Sequence, residues 1–224
     1  MTLGRRAASE ALATALLLAT IIGSGVMGEN LAQGNAAIAL LANTIATGAI
    51  LITLILAFGP ISGAHMNPLV TVAEAWRGNL GWRDVPLYIG AQVAGAYAGV
   101  AAAHAMFGKP LFFASQQVRA GWPLMWSEVV AAFGLVLIVL NISRTRPEAV
   151  PYAVGAYITA AYWFTASTSF ANPAVTLGRA ASDTFAGIRL DDVVGFICAQ
   201  LIGALAAVLF YRWIYGGVAA VRSQ

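Results

Sequence analysis

Apolar residues fill six long runs of the chain that carry few or no charges. The runs lie near 8–28, 36–59, 85–107, 126–143, 149–168 and 193–214. Each approaches the length of about 20 residues that an apolar helix needs to cross a bilayer. Two further apolar segments, 67–76 and 172–182, are too short to cross, because a helix rises only about 1.5 Å per residue. The pattern predicts six spanning helices and two half-length helices.

The composition agrees with a chain that lies in lipid. Hydrophobic residues make up 60% of it and charged residues only 9%, whereas soluble domains carry about 25% charged residues. The single Cys198 allows no intrachain disulfide, and the Lys and Arg residues are too scattered to form a nucleic-acid patch. Arg5 and Arg6 before the first run resemble the start of a signal peptide. Glu10, which has a counterpart in the second half, favours a retained first helix.

The basic residues predict an orientation in the membrane. With the N-terminus inside, eight of the twelve Lys and Arg residues fall on the cytoplasmic side and four fall outside. This asymmetry favours an inner-membrane protein with both termini in the cytoplasm. The inner set comprises Arg5, Arg6, Arg77, Arg83, Arg144, Arg146, Arg212 and Arg222, and the outer set comprises Lys109, Arg119, Arg179 and Arg189.

Landmarks of the first half recur in the same order in the second half. A glutamate opens a span, an Asn-Pro pair follows the next span, and an Ala-Gln segment lies in the third. The pairs are Glu10 with Glu128, Asn67-Pro68 with Asn172-Pro173, and "AQVAGAYAG" at 91–99 with "AQLIGALAA" at 199–207. We expect one channel domain over 1–224, built from repeats at about 8–107 and 126–215. Because each repeat holds three spans, the second must enter the membrane from the opposite face.

The Asn-Pro pairs are suited to starting half-helices inside the membrane. Asn is a favoured N-cap and Pro is favoured at the first helical position. Non-helical backbone at membrane depth is tolerated only where it is buried or lines water. Two facing helix N-termini concentrate positive potential, and the Asn amides add hydrogen-bond donors. Such a centre suits neutral solutes with acceptor oxygens and repels cations.

With these motifs the chain resembles the aquaporin, or major intrinsic protein, family over nearly its whole length. The resemblance rests on "SGAHMNPLVT", "FANPAVT", the two span-opening glutamates and the paired glutamines. It implies an all-α membrane protein, with six spanning helices and two re-entrant half-helices around a pore. It also implies a homotetramer in the lipid bilayer, no cofactor or metal, and no catalytic step.

The resemblance also implies roles for individual residues. Those of the pore centre are Asn67, Pro68, Leu69, Asn172, Pro173 and Ala174, with the two asparagines as donors and the two prolines in mutual contact. His65 flanks the pore. Glu10 and Glu128 are the buried carboxylates that hold the half-helix loops, and Gln92 and Gln200 accompany them.

Two positions depart from the family pattern. Leu69 stands where the first motif usually has Ala, and Val175 stands where an Arg usually projects into the outer filter. Counting back from the motifs gives Thr47 and either Thr159 or Ala160 as further filter positions, with Ser169 or Phe170 just before the second half-helix. Together with Val175, these residues predict a wide, weakly polar filter.

Arg179 lies one helical turn beyond Val175. It either projects into the outer vestibule, where it partly replaces the missing charge and pairs with Asp183, or is a solvated charge at a helix end.

We therefore expect a passive channel for water and small uncharged solutes, such as glycerol-like polyols and the hydroxides of arsenic or antimony. The stretch "ANPAVTLGRAASDTFAGI" is also similar to bacterial aquaglyceroporins linked to arsenic resistance. The alternatives are a strict water channel, a secondary transporter and a structural junction protein. A transporter is disfavoured because the spans offer almost no ionisable group in their interiors. Nothing in the sequence has the spacing of a catalytic or metal-ligating motif, so an enzyme is not expected.

Overall fold

The computed structural model describes residues 1–216, which form eight α-helices, one turn of 3-10 helix and no strand. The predicted Arg222 charge lies outside the described residues. In chain order the helices are α1 (Leu3–Leu31), α2 (Ala36–Ser62), α3 (Pro68–Trp76), α4 (Val85–Met106), α5 (Trp122–Thr145), α6 (Val150–Phe164), α7 (Pro173–Ala180) and α8 (Leu190–Gly216).

Five of the helices, namely α1, α2, α4, α5 and α8, are long and apolar enough to cross a membrane. The fifth predicted span, 149–168, is helical only in part, because α6 has 15 residues and follows the 3-10 turn Pro147–Ala149. The helix ends at Phe164 because the backbone beyond it turns toward other partners. Ser167 donates its hydroxyl hydrogen to the Glu128 carboxylate, and the backbone N–H groups of Phe170 and Ala171 donate to the same carboxylate.

The two halves of the chain use matching helix contacts. α1 packs chiefly against α4 and α2, and α5 packs chiefly against α8 and α6. Glycine permits the closest approaches: a Cβ at Gly95 would collide with the Ala11 carbonyl, and one at Gly203 would collide with the Val129 carbonyl. The α1–α4 and α5–α8 pairs are therefore held together by equivalent small-residue contacts.

The half-helices α3 and α7 begin at the two predicted Asn-Pro pairs and contact each other. The chain approaches each one in an irregular conformation with positive φ at non-glycine residues. The values are 48° at Ala64 and Met66, 49° at Ser169 and 45° at Ala171. L-residues adopt this region at a cost of about 1–2 kcal/mol each. The surrounding hydrogen bonds must supply that energy.

Candidate functional site

Asn67 and Asn172 cap the two half-helices through their side-chain oxygens. Asn67 Oδ1 accepts a hydrogen bond from the backbone N–H of Leu69 at 2.9 Å. Asn172 Oδ1 accepts from the N–H groups of Ala174 and Val175 at 3.0 and 3.3 Å. Pro68 and Pro173 occupy the first helical positions, where no N–H is needed. Capping uses the side-chain oxygen of each asparagine and leaves its NH₂ group to bond outside its own half-helix.

The two NH₂ groups cross-link the half-helices. Asn67 Nδ2 donates to the carbonyl oxygen of Ala171 at 2.8 Å, and Asn172 Nδ2 donates to that of Met66 at 2.7 Å. Each acceptor is the residue directly before the opposite asparagine. An amide nitrogen carries two hydrogens, so each NH₂ keeps one donor beyond this bond. The sequence predicted the two asparagine donors. It did not predict that one of the two hydrogens of each NH₂ group holds the two loops together.

Two buried carboxylates hold the irregular segments before the half-helices. Glu10 accepts hydrogen bonds from Ser62 Oγ, Gln92 Nε2 and the backbone N–H groups of His65 and Met66, at 2.7–2.9 Å. Both carboxylates are 0% exposed. The four hydrogen bonds to the ionised Glu10 carboxylate offset the cost of burying its negative charge.

Glu128 repeats this arrangement in the second half. It accepts from Ser167 Oγ and Gln200 Nε2 at 2.6 Å, and from the N–H groups of Phe170 and Ala171 at 2.9 Å. The two serines stand five residues before their asparagines, and sequence reasoning missed both. Their equal spacing from the Asn-Pro pairs was the available signal.

The glutamines also connect the carboxylates to the half-helices. Gln92 Nε2 donates to Thr71 Oγ1 at 2.9 Å, and Gln200 Nε2 donates to Thr176 Oγ1 at 2.9 Å. Each threonine hydroxyl donates in turn to the carbonyl of its asparagine, at 3.0 and 2.9 Å. The threonines, four residues after each Asn, were also missed.

One continuous cavity of about 680 Å³ contacts both half-helices. Arg6, Glu74 and Glu148 line one end, Val175 and Arg179 line the other, and Asn67 and Asn172 lie on its wall. Buried Leu69 and Ala174 do not line it. Of the predicted centre, the two asparagines therefore reach the cavity, while these neighbours pack behind them.

The structure corrects the predicted filter residue of α6. Thr159 donates its hydroxyl hydrogen to the Gly155 carbonyl at 2.8 Å and packs against Gly48 of α2, while Ala160 is exposed on the outer face. Neither lines the cavity. Val154, Ile158 and Tyr162 of the same helix do. Spacing from the motif failed here because α6 ends early and presents a different face.

Tyr162 was missed by the sequence reasoning and meets a residue that was predicted. Its hydroxyl lies 3.3 Å from Thr47 Oγ1, and both side chains are buried and line the cavity. The lining of the cavity beside Thr47 therefore contains an aromatic ring where the sequence predicted a threonine or alanine.

The Arg179 end of the cavity combines Ser169, Phe170, Val175 and Arg179. Arg179 is 2% exposed, so it is not a solvated charge. It forms no ion pair with Asp183 among the described residues. Asp183 Oδ1 instead accepts a hydrogen bond from the backbone N–H of Gln116 at 2.8 Å. The Arg179 Nε donates to the Ala186 carbonyl.

His65 occupies the corresponding place toward the Arg6 end. Its Nδ1 lies 3.2 Å from Thr71 Oγ1, and its ring contacts Tyr88 at a centroid distance of 5.4 Å. It lines the cavity two residues before Asn67, as Phe170 does two residues before Asn172. The two ends thus differ in chemistry at matched positions.

The segment between α4 and α5 closes over the Arg179 end. Arg119 lies in this segment, and its guanidinium donates to the carbonyls of Gly187, Ser167 and Phe185 at 2.7, 3.3 and 3.5 Å. Burial lowers the pKa of Arg119. Buried His104 ties the same segment down through Leu111 O and Ser182 Oγ, both at 2.8 Å.

Comparison with known proteins agrees with this architecture. The family model for the major intrinsic proteins matches residues 1–148. The chain is 55% identical over 213 residues to aquaglyceroporin AqpS of Rhizobium meliloti (strain 1021), covering 95% of this chain and 91% of that protein. It is 32% identical over 221 residues to aquaporin NIP2-3 of Zea mays, covering 95% of this chain and 70% of that protein.

A solved structure has the same fold at low sequence identity. The aquaglyceroporin from Plasmodium falciparum superposes with a TM-score of 0.78 at 19% identity, covering 98% of this chain and 100% of that one. The chain therefore has the aquaporin fold and belongs to the major intrinsic protein family, whose members are membrane channels and not enzymes.

Proposed function

We propose that the chain is a passive channel for water and small neutral solutes of the size and polarity of glycerol, and that they pass through the cavity between the half-helices. The observation that carries the proposal is the meeting of Asn67 and Asn172 on one cavity wall, each with an NH₂ hydrogen left after cross-linking. A solute oxygen accepts from these donors in place of water. A cation meets the positive ends of two helix dipoles there.

The lining supports a solute larger than water. Val175 and Ile158 present apolar surface, while Thr47 and Tyr162 present hydroxyls. A polyol has a carbon face and an oxygen face, so it loses less solvation in a two-sided passage of this kind than in a uniformly polar one. The 55% identity to a protein named an aquaglyceroporin supports the same solute class.

Proteoliposome flux with three solutes tests the proposal. Light scattering after an osmotic step should report fast water and glycerol permeation, and isotope uptake should report arsenous acid. Val175→Arg puts a long cationic side chain into the filter, so we expect glycerol flux to fall by roughly tenfold or more while water flux is reduced less. Val72→Arg is the matched control, because Val72 lies on an exposed face of α3 away from the cavity.

Two outcomes would contradict the proposal. Fast water flux with exclusion of both glycerol and arsenous acid would make the chain a strict water channel. Solute accumulation driven by a proton or sodium gradient would make it a transporter.

We also propose that four copies assemble into a homotetramer with one pore in each subunit. The outer helix faces carry exposed apolar side chains that suit either lipid or a second copy, among them Leu41, Ile45 and Leu56 on α2. Native mass spectrometry of the detergent-solubilised protein measures the subunit number, and a monomer at all lipid and detergent levels would exclude this arrangement.

The orientation and the repeat boundaries belong to the same proposal. Both termini lie in the cytoplasm of an inner-membrane protein, and the repeats span about 8–107 and 126–215. The matched hydrogen bonds of Glu10 and Glu128 support the repeat. Accessibility of a cysteine placed at Thr2 to a membrane-impermeant maleimide, in intact and opened cells, tests the orientation. Labelling in intact cells would reverse it.

A further inference from the structure

The half-helices carry opposite charges at matched positions. Glu74 stands seven residues after Asn67, and Arg179 stands seven residues after Asn172. Both side chains are buried, and both line the cavity. They are not equivalent electrostatically. Glu74 accepts hydrogen bonds from Arg77 at 2.9 Å and Asn79 at 2.6 Å, so its charge is locally compensated.

Arg179 has no such compensation within residues 1–216. Its Nε donates to the Ala186 carbonyl, and neither Nη atom makes a hydrogen bond to a described residue. The four ion pairs found in the described part of the chain do not include it. Its Nη groups are therefore available to acceptors that enter the cavity.

An aromatic ring fixes the position of this guanidinium. The Arg179 guanidinium carbon lies over the Phe170 ring, 3.4 Å from its centroid. The backbone N–H of Phe170 is bound to the Glu128 carboxylate, so the same carboxylate that orders the loop also orders the ring. A cation over an aromatic face is attracted by the negative potential of that face. The charge is thus positioned by the pore framework and not by a flexible vestibule loop.

The other charged groups around the ring are not paired with Arg179. Arg119 lies over the same ring, with its guanidinium carbon 5.0 Å from the centroid. Asp183, Asp192 and Glu128 accept their hydrogen bonds from other residues, and none of them forms an ion pair with Arg179. The Arg179 guanidinium is therefore not paired directly with any carboxylate of the described residues.

We infer that Arg179, seated on Phe170, is the specificity-determining cation of this pore and replaces, one helical turn further out, the charge that Val175 does not provide. This inference rests on the proposed function. Arg179 repels permeating cations and donates from its Nη groups to the oxygens of neutral solutes. Val175 has a short side chain, so it leaves the filter open. The charge of Arg179 acts one helical turn further out, at the mouth of the cavity. Rejection of cations by Arg179 and selection by size at Val175 therefore take place at two different positions along α7.

Arg179→Met tests the inference, because methionine keeps most of the apolar contact with Phe170 and removes the charge. In proteoliposomes we expect the permeability to Na⁺ and methylammonium to rise by roughly ten- to a hundredfold, the effect of one unit charge at a few ångströms in a partly buried site. Water permeability should stay within about twofold, since water needs no charge selection at this point. The double variant Val175→Arg with Arg179→Met should regain cation rejection and lose glycerol flux.

Arg189→Met is the matched control. It removes a positive charge at the same end of the molecule from a residue outside the cavity lining that pairs with Asp191 and Asp192. We expect its cation permeability to match wild type. Unchanged cation rejection in a water-conducting Arg179→Met channel would overturn the inference, as would an equal leak in Arg189→Met.

A second variant covers the case in which Arg179→Met yields no water-conducting channel. Phe170→Leu keeps the charge of Arg179 but removes the aromatic ring that holds it in place. We expect this variant to show a measurable cation leak. Cation rejection equal to that of the wild type would overturn the inference. The proposed function is tested separately by wild-type water and glycerol flux. A wild-type channel that passes both, with no charge effect at position 179, would reject only the filter assignment.

Discussion

At the scale of single residues, the two buried glutamates have the most tightly constrained surroundings. Glu10 and Glu128 each accept two backbone N–H groups, one serine hydroxyl and one glutamine NH₂. All of these partners are donors, so only a group with four acceptor sites and no hydrogen satisfies them. An ionised carboxylate is the side chain that fits this description.

Glu10→Gln should therefore destabilise the protein although it preserves size and shape. Its NH₂ group would face N–H donors, leaving at least one buried donor unsatisfied, at a cost of about 2–3 kcal/mol. Thermal unfolding in detergent measures the loss. Glu29→Gln, at an exposed position near the end of α1, should change stability by less than about 0.5 kcal/mol. Equal unfolding temperatures for the two variants would contradict this account of the loop.

Tyr162 is a cavity-lining residue of α6 that sequence reasoning did not identify. The asparagines, the glutamates and the glutamines were predictable, because the repeat fixes their spacing. Tyr162 was not, because the face that α6 presents depends on where the chain leaves the helix. That point is set by Glu128, a residue on another helix that recruits Ser167 and the N–H groups of Phe170 and Ala171. A count along the sequence contains no information on such a partner.

Tyr162→Leu should widen the passage and raise the ratio of glycerol to water permeability. A barrier lowered by about 1 kcal/mol corresponds to roughly a fivefold change in rate, so we expect an increase of this order. Stopped-flow light scattering gives both permeabilities from the same vesicles. Thr159→Ala removes a hydroxyl from the same helix, but outside the cavity, and should leave the ratio unchanged. A larger effect from Thr159→Ala would restore the filter position predicted from the sequence.

At the scale of helices, close approach depends on single glycines. Gly95 faces the Ala11 carbonyl of α1, whereas Gly90, in the same helix, has nothing within 4 Å of its added Cβ. The helical pattern of α4 does not distinguish the two positions, since both are glycines in an apolar span. Only the packing against α1 separates a required glycine from a dispensable one.

Alanine at these two positions should have effects of opposite sign. Gly95→Ala forces α1 and α4 apart and should cost about 1–3 kcal/mol. Gly90→Ala should stabilise by about 0.5–1 kcal/mol, because alanine loses less backbone entropy in a helix. Thermal unfolding of both variants under one detergent condition measures the difference. Destabilisation by Gly90→Ala would indicate a neighbour at that face, such as another subunit.

At the scale of the whole molecule, hydrophobic runs predicted the order of the helices, and they placed the helix boundaries within about five residues, the start of α1 at Leu3 being the furthest from its prediction. They succeeded because lipid requires each span to satisfy its own backbone hydrogen bonds, so span length and apolarity are strongly constrained. They were weakest for 149–168, where apolar residues continue past the end of α6 into the loop before α7. The fold was thus more predictable than the filter, which depends on contacts between the halves.

The two amide–carbonyl bonds at the centre join residues 104 and 106 positions apart in the chain. A nascent chain that has produced only its first half therefore has no acceptor for Asn67 and no donor for the Met66 carbonyl. The contact between the two half-helices therefore forms only after the second half of the chain has inserted into the membrane and α7 has folded into its interior. An unfinished polypeptide in the bilayer accordingly lacks the assembled passage.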